Sequence, residues 1–223
     1  MKAWAALTLV CVSGIAAGEP APQWRELFDG RTLENWRQTD FEGGAAAKVQ
    51  PASKDGKPAI VIEPGVTLSG ITSTLGSQLP RTNYEITLEA MRIMGGDFFC
   101  ALTFPVGKSH CSFVVGGWGG VVVGISSVNY ADASDNETTR SAEFGDNRWY
   151  RIRVRVTDAK IEAWIDKEQM VDLELKEKKV MMRPGDIEKN VPLGIATYQT
   201  RAAIRDVRLR SLTPAEIALA SAP

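Results

Sequence analysis

The sequence predicts an all-β protein, a sandwich or barrel of short strands with one short helix at its C-terminal end. Three observations carry this. Apolar and polar residues alternate through segment after segment, turn-forming clusters separate the segments, and only the C-terminal tail shows a helical signature.

Taken in order, the chain opens with an export leader. Lys2 supplies a single positive charge, residues 3–17 are almost all apolar or small, and Ala16-Ala17-Gly18 offers small residues for cleavage before Glu19. This gives a signal over 1–18, a short linker over 19–23, a single domain over 24–212 and a tail over 213–223. The apolar run is too short to cross a bilayer and no later segment approaches that length, so no integral membrane segment is expected after cleavage. Cys11 lies inside the run and not at its end, which disfavours a lipid-anchored form. The expected location is periplasmic or extracellular. With 26 basic and 27 acidic residues the formal charge is −1. No basic tract stands out beyond one row of alternating arginines, so a nucleic-acid partner is not expected.

The strands declare themselves by period two. Tyr84, Ile86, Leu88 and Ala90 point one way against Glu85, Thr87 and Glu89. In "WYRIRVRV" Tyr150, Ile152, Val154 and Val156 oppose Arg151, Arg153 and Arg155. The arginine row is read as the solvated face of an antiparallel strand. "IEAWID" (161–166), "VDLEL" (171–175), "LGIATYQ" (193–199) and "RDVRLRSL" (205–212) continue the pattern. Asp55-Gly56, Gly95-Gly96, Gly145-Asp146-Asn147 and Arg183-Pro184-Gly185 mark turns. Thr213-Pro214-Ala215-Glu216 is a capping box with proline at the first helical position, opening the C-terminal helix.

The middle of the chain is the least ordinary. "FFCALTFPVGKSHCSFVV" runs into "GGWGG" at 116–120, four glycines around Trp118. Glycine inside a strand-like run marks a bulge or a close approach by another backbone or a ligand. Cys100 and Cys111, the two cysteines left after signal removal, are a disulfide candidate in an oxidising compartment, worth about 3 kcal/mol if bridged. A turn between Pro105 and Val106 would set them face to face. A turn at Gly107-Lys108, chemically more natural, would set them out of register.

"WRELFDGRTLENWR" at 24–37 resembles the opening of the 3-keto-disaccharide hydrolase family, with Leu27, Phe28, Asp29, Gly30, Leu33 and Trp36 at the motif positions. The segments "NRWYRIRVRV…KIEAWIDKEQMVD" and "PLGIATYQTRAAIRDVRLRSL" resemble that family's paired and closing strands, and those of laminin-G-like domains. The likeness spans nearly all of 24–212. It implies a two-sheet antiparallel jelly-roll sandwich of the concanavalin type, and cleavage of 3-keto-glycosides by hydrolysis or elimination. Where the family carries a strand with Glu, Gln and Asp toward the sugar, this chain has "GGWGGVVVGISSVN", with no carboxylate.

The candidate site residues follow from the chemistry each type can do. Glycoside hydrolysis ordinarily takes two carboxyl groups. A ketone beside the scissile centre acidifies the adjacent C–H, so one base and a carbonyl polariser can serve. His110, the only histidine, and Glu137 are the catalytic candidates; by alternation His110 shares the face of Ser112. Asp132 and Asp135 in "ADASDNETTR" are candidate ligands for a divalent cation such as calcium, although the spacing matches no EF-hand. Trp118 is the aromatic platform, with Arg140, Gln199, Tyr198 and Trp164 as further saccharide-binding candidates. The alternative function is a non-catalytic carbohydrate-binding or laminin-G-like recognition module. The expected geometry is one pocket bordered by Trp118, Arg140 and Gln199.

Overall fold

The structure, a computed structural model, describes residues 23–50 and 56–220; the leader and the Asp55 half of one turn signal lie outside them. The strands are β1 (Arg25–Glu26), β2 (Trp36–Gln38), β3 (Ala47–Gln50), β4 (Ala59–Ile62), β5 (Leu68–Ser73), β6 (Tyr84–Met94), β7 (Cys100–Val106) and β8 (Ser109–Gly116). They continue as β9 (Val122–Ser126), β10 (Arg140–Ser141), β11 (Trp149–Val156), β12 (Lys160–Ile165), β13 (Glu168–Glu174), β14 (Gly194–Tyr198) and β15 (Arg201–Ser211). One sheet has the order β13-β12-β11-β6-β15-β4-β3, with β1 also on β15. The other runs β10-β9-β8-β7-β14-β5-β2. Every described pairing is antiparallel and neither sheet closes on itself, so the sandwich is realised and the barrel is not.

Alternation places the core between the sheets. Ile152 opposes Leu88 and Val154 opposes Ile86 across β11 and β6, and all four are buried. From the second sheet Leu102, Phe104, Phe113, Ile125 and Ile195 meet them, fully enclosed. The arginine row does face away from this core, but it is roofed by ion pairs. Glu85, only 3% exposed, holds Arg155 at 3.0 Å, Arg210 at 3.2 Å and Arg153 at 3.5 Å. A lone buried carboxylate would be costly; three guanidinium partners offset that cost.

The β7–β8 hairpin turns at Gly107-Lys108, with Val106 opposite Ser109. That register puts Cys100 opposite Val115 and Cys111 opposite Phe104, and both thiols are free and buried. The disulfide candidate is therefore corrected: the natural turn wins, and the sulfurs sit rungs apart. Burial pushes both thiols well above the ordinary thiol range.

At the C-terminus the capping box forms as its sequence predicts. The Thr213 amide donates to Glu216 Oε2 at 2.9 Å and the Glu216 amide to Thr213 Oγ1 at 3.2 Å. The helix over Pro214–Ala220 is strapped down by Arg210, which reaches Glu216 at 2.7 and 2.9 Å.

Candidate functional site

The second sheet's outer face is unusually small-chained. Ala101 on β7, Ser112 and Val114 on β8 and Ser126 on β9 point outward, opposite the core residues between them. A long crossing from β13 to β14 runs over part of this face. Its anchor is the buried Asn190, whose Nδ2 donates to Ile71 O at 3.0 Å and to the hydroxyls of Thr39 and Thr72 at 2.9 and 3.1 Å. Ile187 then packs on a small apolar cluster that includes Phe41, Ala101, Val114 and Ala196. Between this crossing and the sheet's glycine-rich end a cavity of about 270 Å³ remains.

Trp118 forms one wall of that cavity, with Phe98 and Tyr198 beside it. The glycines do not weaken a strand here; they end one. Gly116, Trp118, Gly119 and Gly120 all have positive φ, from 48° to 93°, which three of the four reach without a Cβ penalty. A Cβ on Gly116 would lie 3.2 Å from the Phe99 ring. The turn from β8 to β9 is so tight that the indole is thrown outward, 39% exposed. Asp97 pins it from the neighbouring β6–β7 turn, accepting from Gly119 N at 3.1 Å and from Phe98 N at 2.7 Å. Phe98 and Tyr198 meet with ring centroids 5.9 Å apart.

The polar half of the cavity comes from the crossing. Arg183 sits with Cζ 5.9 Å from the Trp118 ring centre and pairs with Asp132 at 3.0 Å. Asp132 also accepts a hydrogen bond from Ser126, so a loop carboxylate, a floor hydroxyl and a wall guanidinium are locked together. Asp186, from the same crossing, also lines the cavity. It is bound by Lys189 at 2.9 Å and by the Glu42 amide at 3.1 Å, and these partners hold its carboxyl below the ordinary range. It is an ionised acceptor at neutral pH, not a proton donor.

Of the residues singled out in the sequence, Trp118 and Tyr198 come together on this cavity. Arg140 and Gln199 do not border it. Arg140 lies on the edge strand β10 with its guanidinium on Thr139 O, and Gln199 donates to Val66 O at 2.8 Å. The expected three-residue pocket is corrected accordingly: Arg183, and not Arg140 or Gln199, lines the cavity with Trp118. Trp164 belongs to the other sheet's outer face, stacked under Arg153 at 3.8 Å. His110 shares the face of Ser112, as alternation required, but stands outside the lining and opposite Pro105. It is half-buried, its Nε2 makes no hydrogen bond among the described residues, and burial together with the Arg81 charge lowers its pKa.

The acidic loop does not gather a metal shell. Glu137 pairs with Lys178 at 2.7 Å, Asp132 is committed to Arg183, and Asp135 is exposed. Among the described residues no cluster of three or more His, Cys, Asp or Glu is placed to hold an ion. What organises the loop is Asn136, whose Nδ2 donates to the carbonyls of Ile125, Ala131 and Asp132 at 2.8, 3.1 and 2.7 Å. Sequence reasoning missed Phe98, Arg183 and Asp186. Arg183-Pro184-Gly185 reads only as a turn, and nothing local says that the crossing folds back over a sheet.

Comparison with known proteins agrees with this architecture. Domain 4 of AbnA, an extracellular arabinanase from Geobacillus stearothermophilus solved with arabinotriose, matches with a TM-score of 0.51 and 11% identity, over 84% of this chain and 88% of that one. An endo-acting O-glycanase of the human gut microbiota, described as initiating mucin breakdown, matches at 0.52 and 12%, over 86% and 99%. The Crh5 transglycosylase in complex with NAG matches at 0.52 and 8%, over 87% and 85%. At such identities the likeness establishes a shared fold. No match was found among curated proteins. The family model described as a 3-keto-alpha-glucoside-1,2-lyase-like domain matches residues 23–210, and the chain belongs to that family.

Proposed function

We propose that the chain is a carbohydrate-recognising jelly-roll module, and that the cavity beside Trp118 takes one sugar ring of an α-glucoside or related glycan. The observation carrying this is the cavity's composition. An exposed indole and the Tyr198 and Phe98 rings offer flat faces for sugar C–H groups, while Arg183, Asp186, Ser112 and Ser126 line the same cavity with polar groups. Its volume of about 270 Å³ lies near the lower end of the roughly 300–1,000 Å³ usual for small-molecule sites, which suits a single ring. Titration calorimetry with methyl α-glucoside and its 3-keto derivative tests the reading. Binding that Trp118→Ala weakens supports it; no heat with either sugar contradicts it.

A second reading is cleavage of 3-keto-glycosides, and one observation favours it: Asp186 is an ionised carboxylate on the cavity wall. Two-carboxylate hydrolysis finds no second carboxylate among the lining residues. Elimination needs only one base. Asp186 would take the proton from C2, acidified by the ketone at C3. The C–H electron pair would form the C1–C2 double bond as the C1–O bond breaks; the leaving alkoxide would take a proton from water, and Asp186 would return the C2 proton to solvent. Appearance of the conjugated enone from methyl 3-keto-α-glucoside, lost in Asp186→Asn while binding persists, would support it. Wild-type protein that binds the keto sugar and releases no enone would rule it out. The reading includes export, with residues 1–18 carrying the domain to the periplasm or beyond; a preparation from cells that retains the leader and stays cytoplasmic would contradict that part.

A further inference from the structure

The first sheet's outer face, opposite the sheet that carries the cavity, has charges that saccharide recognition does not use. Across β11, β6 and β15 its outward residues form three successive rows. In the first, Glu85 stands between Arg155 and Arg210, at 3.0 and 3.2 Å. In the third, Glu89 stands between Arg151 and Arg205, at 3.8 and 2.6 Å. The middle row has the same arginines and no carboxylate: Thr87 stands between Arg153 and Arg208. Those two guanidinium groups are correspondingly under-served. Arg153 reaches Glu85 in the next row only at 3.5 Å, and Arg208 Nε reaches Glu26 only at 3.7 Å. The Arg208 Nε is buried and makes no hydrogen bond among the described residues, a state that buried donors seldom keep. Both side chains remain 34% exposed. Arg153 is also oriented, lying over the Trp164 ring at 3.8 Å.

We infer that Arg153 and Arg208 bind one phosphate group, seated over Thr87, which does for the middle row what Glu85 and Glu89 do for its neighbours. The two backbones are two strand spacings apart, roughly 10 Å, a gap that two arginine side chains close from either side of a short residue. Like charges facing across a sheet repel, and an anion between them turns that repulsion into two attractions. The planar guanidinium fork matches the oxygens of a phosphate, and charge-assisted bonds of this kind are the strong ones. Thr87 brings no charge of its own, since its hydroxyl donates to Ile152 O at 3.2 Å. The face is open to solvent, so the same phosphate chemistry can arrive on a soluble monoester or on a lipid headgroup. The inference is independent of what occupies the cavity beside Trp118.

Titration of the wild-type protein with inorganic phosphate, followed on the arginine Nε–H signals, tests this without any variant. The Arg153 and Arg208 signals should move together along one saturating curve while that of Arg140, on the other sheet, stays still. Arg153→Gln and Arg208→Gln should each weaken phosphate binding on the order of tenfold, the loss of one charge-assisted partner. Thr87→Glu supplies the carboxylate from within the chain, so it should abolish phosphate binding and leave the protein at least as stable as wild type; Thr87→Gln, of the same length but neutral, should lose less binding. Sedimentation with phosphatidylcholine vesicles, with and without phosphatidic acid, identifies the source. Binding only to the phosphatidic acid vesicles, lost in Thr87→Glu, assigns the site to a lipid phosphate; phosphate binding without vesicle binding assigns it to a soluble ester. No saturable shift, an equal shift of every arginine signal, or phosphate binding that survives Thr87→Glu would overturn the site.

Discussion

Replacing Trp118 by alanine should weaken saccharide binding by about five- to tenfold while leaving the fold intact. The magnitude comes from what the indole still exposes. With 39% of its surface free and up to about 250 Å² on such a side chain, roughly 100 Å² is available to a ligand. A sugar ring covering half of that removes about 50 Å² from water, worth about 1.2 kcal/mol at about 25 cal/mol per Å². That is the stated loss in affinity. The side chain is not in the inter-sheet core, so the alanine variant should keep a cooperative unfolding transition. Trp118→Gly is the control for the backbone: at φ 48° and ψ 59° glycine is the easier residue. It should lose the same affinity and be no less stable than the alanine variant. Calorimetric titration of both variants with methyl α-glucoside measures this. Wild-type affinity in either folded variant would refute the assignment of Trp118 to the ligand.

Three further outcomes follow from the surrounding structure. Arg210 holds the Glu216 carboxyl at a pKa of about 2 against an ordinary 4.5, so the helix strap is fully stabilised above pH 4.5 and loosens as pH falls through about 2. Glu216→Gln should cost on the order of 1 kcal/mol in denaturant unfolding at pH 7, allowing for solvent screening, and nothing near pH 2; a cost independent of pH would contradict the ion pair. Cys100 and Cys111, buried and with raised pKa, should resist a thiol reagent in the native protein and react in denaturant. A disulfide-linked peptide in a non-reducing digest would contradict the register. Asn136→Ala leaves three carbonyls and Thr138 without their partner, so it should cost about 2–3 kcal/mol in thermal or denaturant unfolding, whereas a change below about 0.5 kcal/mol would show that the loop stands without it.

Much of the fold is legible in single strands. Tyr84, Ile86, Leu88 and Ala90 fall inside, as do Tyr150, Ile152, Val154 and Val156, because a half-buried strand writes its period directly into the sequence. The C-terminal capping box is equally local, and so is the Gly107-Lys108 turn that decides the cysteines. The site is less legible because it is assembled by tertiary contacts. Trp118 stands out among its glycines and Tyr198 beside Gln199, but Arg183 and Asp186 arrive on a crossing whose path is set by Asn190, reaching Thr39 and Ile71 far back in the chain. Arg140 misled for the opposite reason. It is near Trp118 in sequence, yet β9 carries the chain across to an edge strand before Arg140 appears. The acidic loop looked like a cation site because sequence displays its carboxylates and hides their partners, Arg183 and Lys178.

The most direct test of saccharide recognition at this cavity is a crystal structure of the mature protein soaked with methyl α-glucoside. The account predicts a sugar ring lying against Trp118 and Tyr198, with hydroxyls within hydrogen-bond distance of Arg183 or Asp186. A sugar bound instead on the other sheet, over Trp164 and Arg153, or a cavity left empty at saturating ligand, would contradict it.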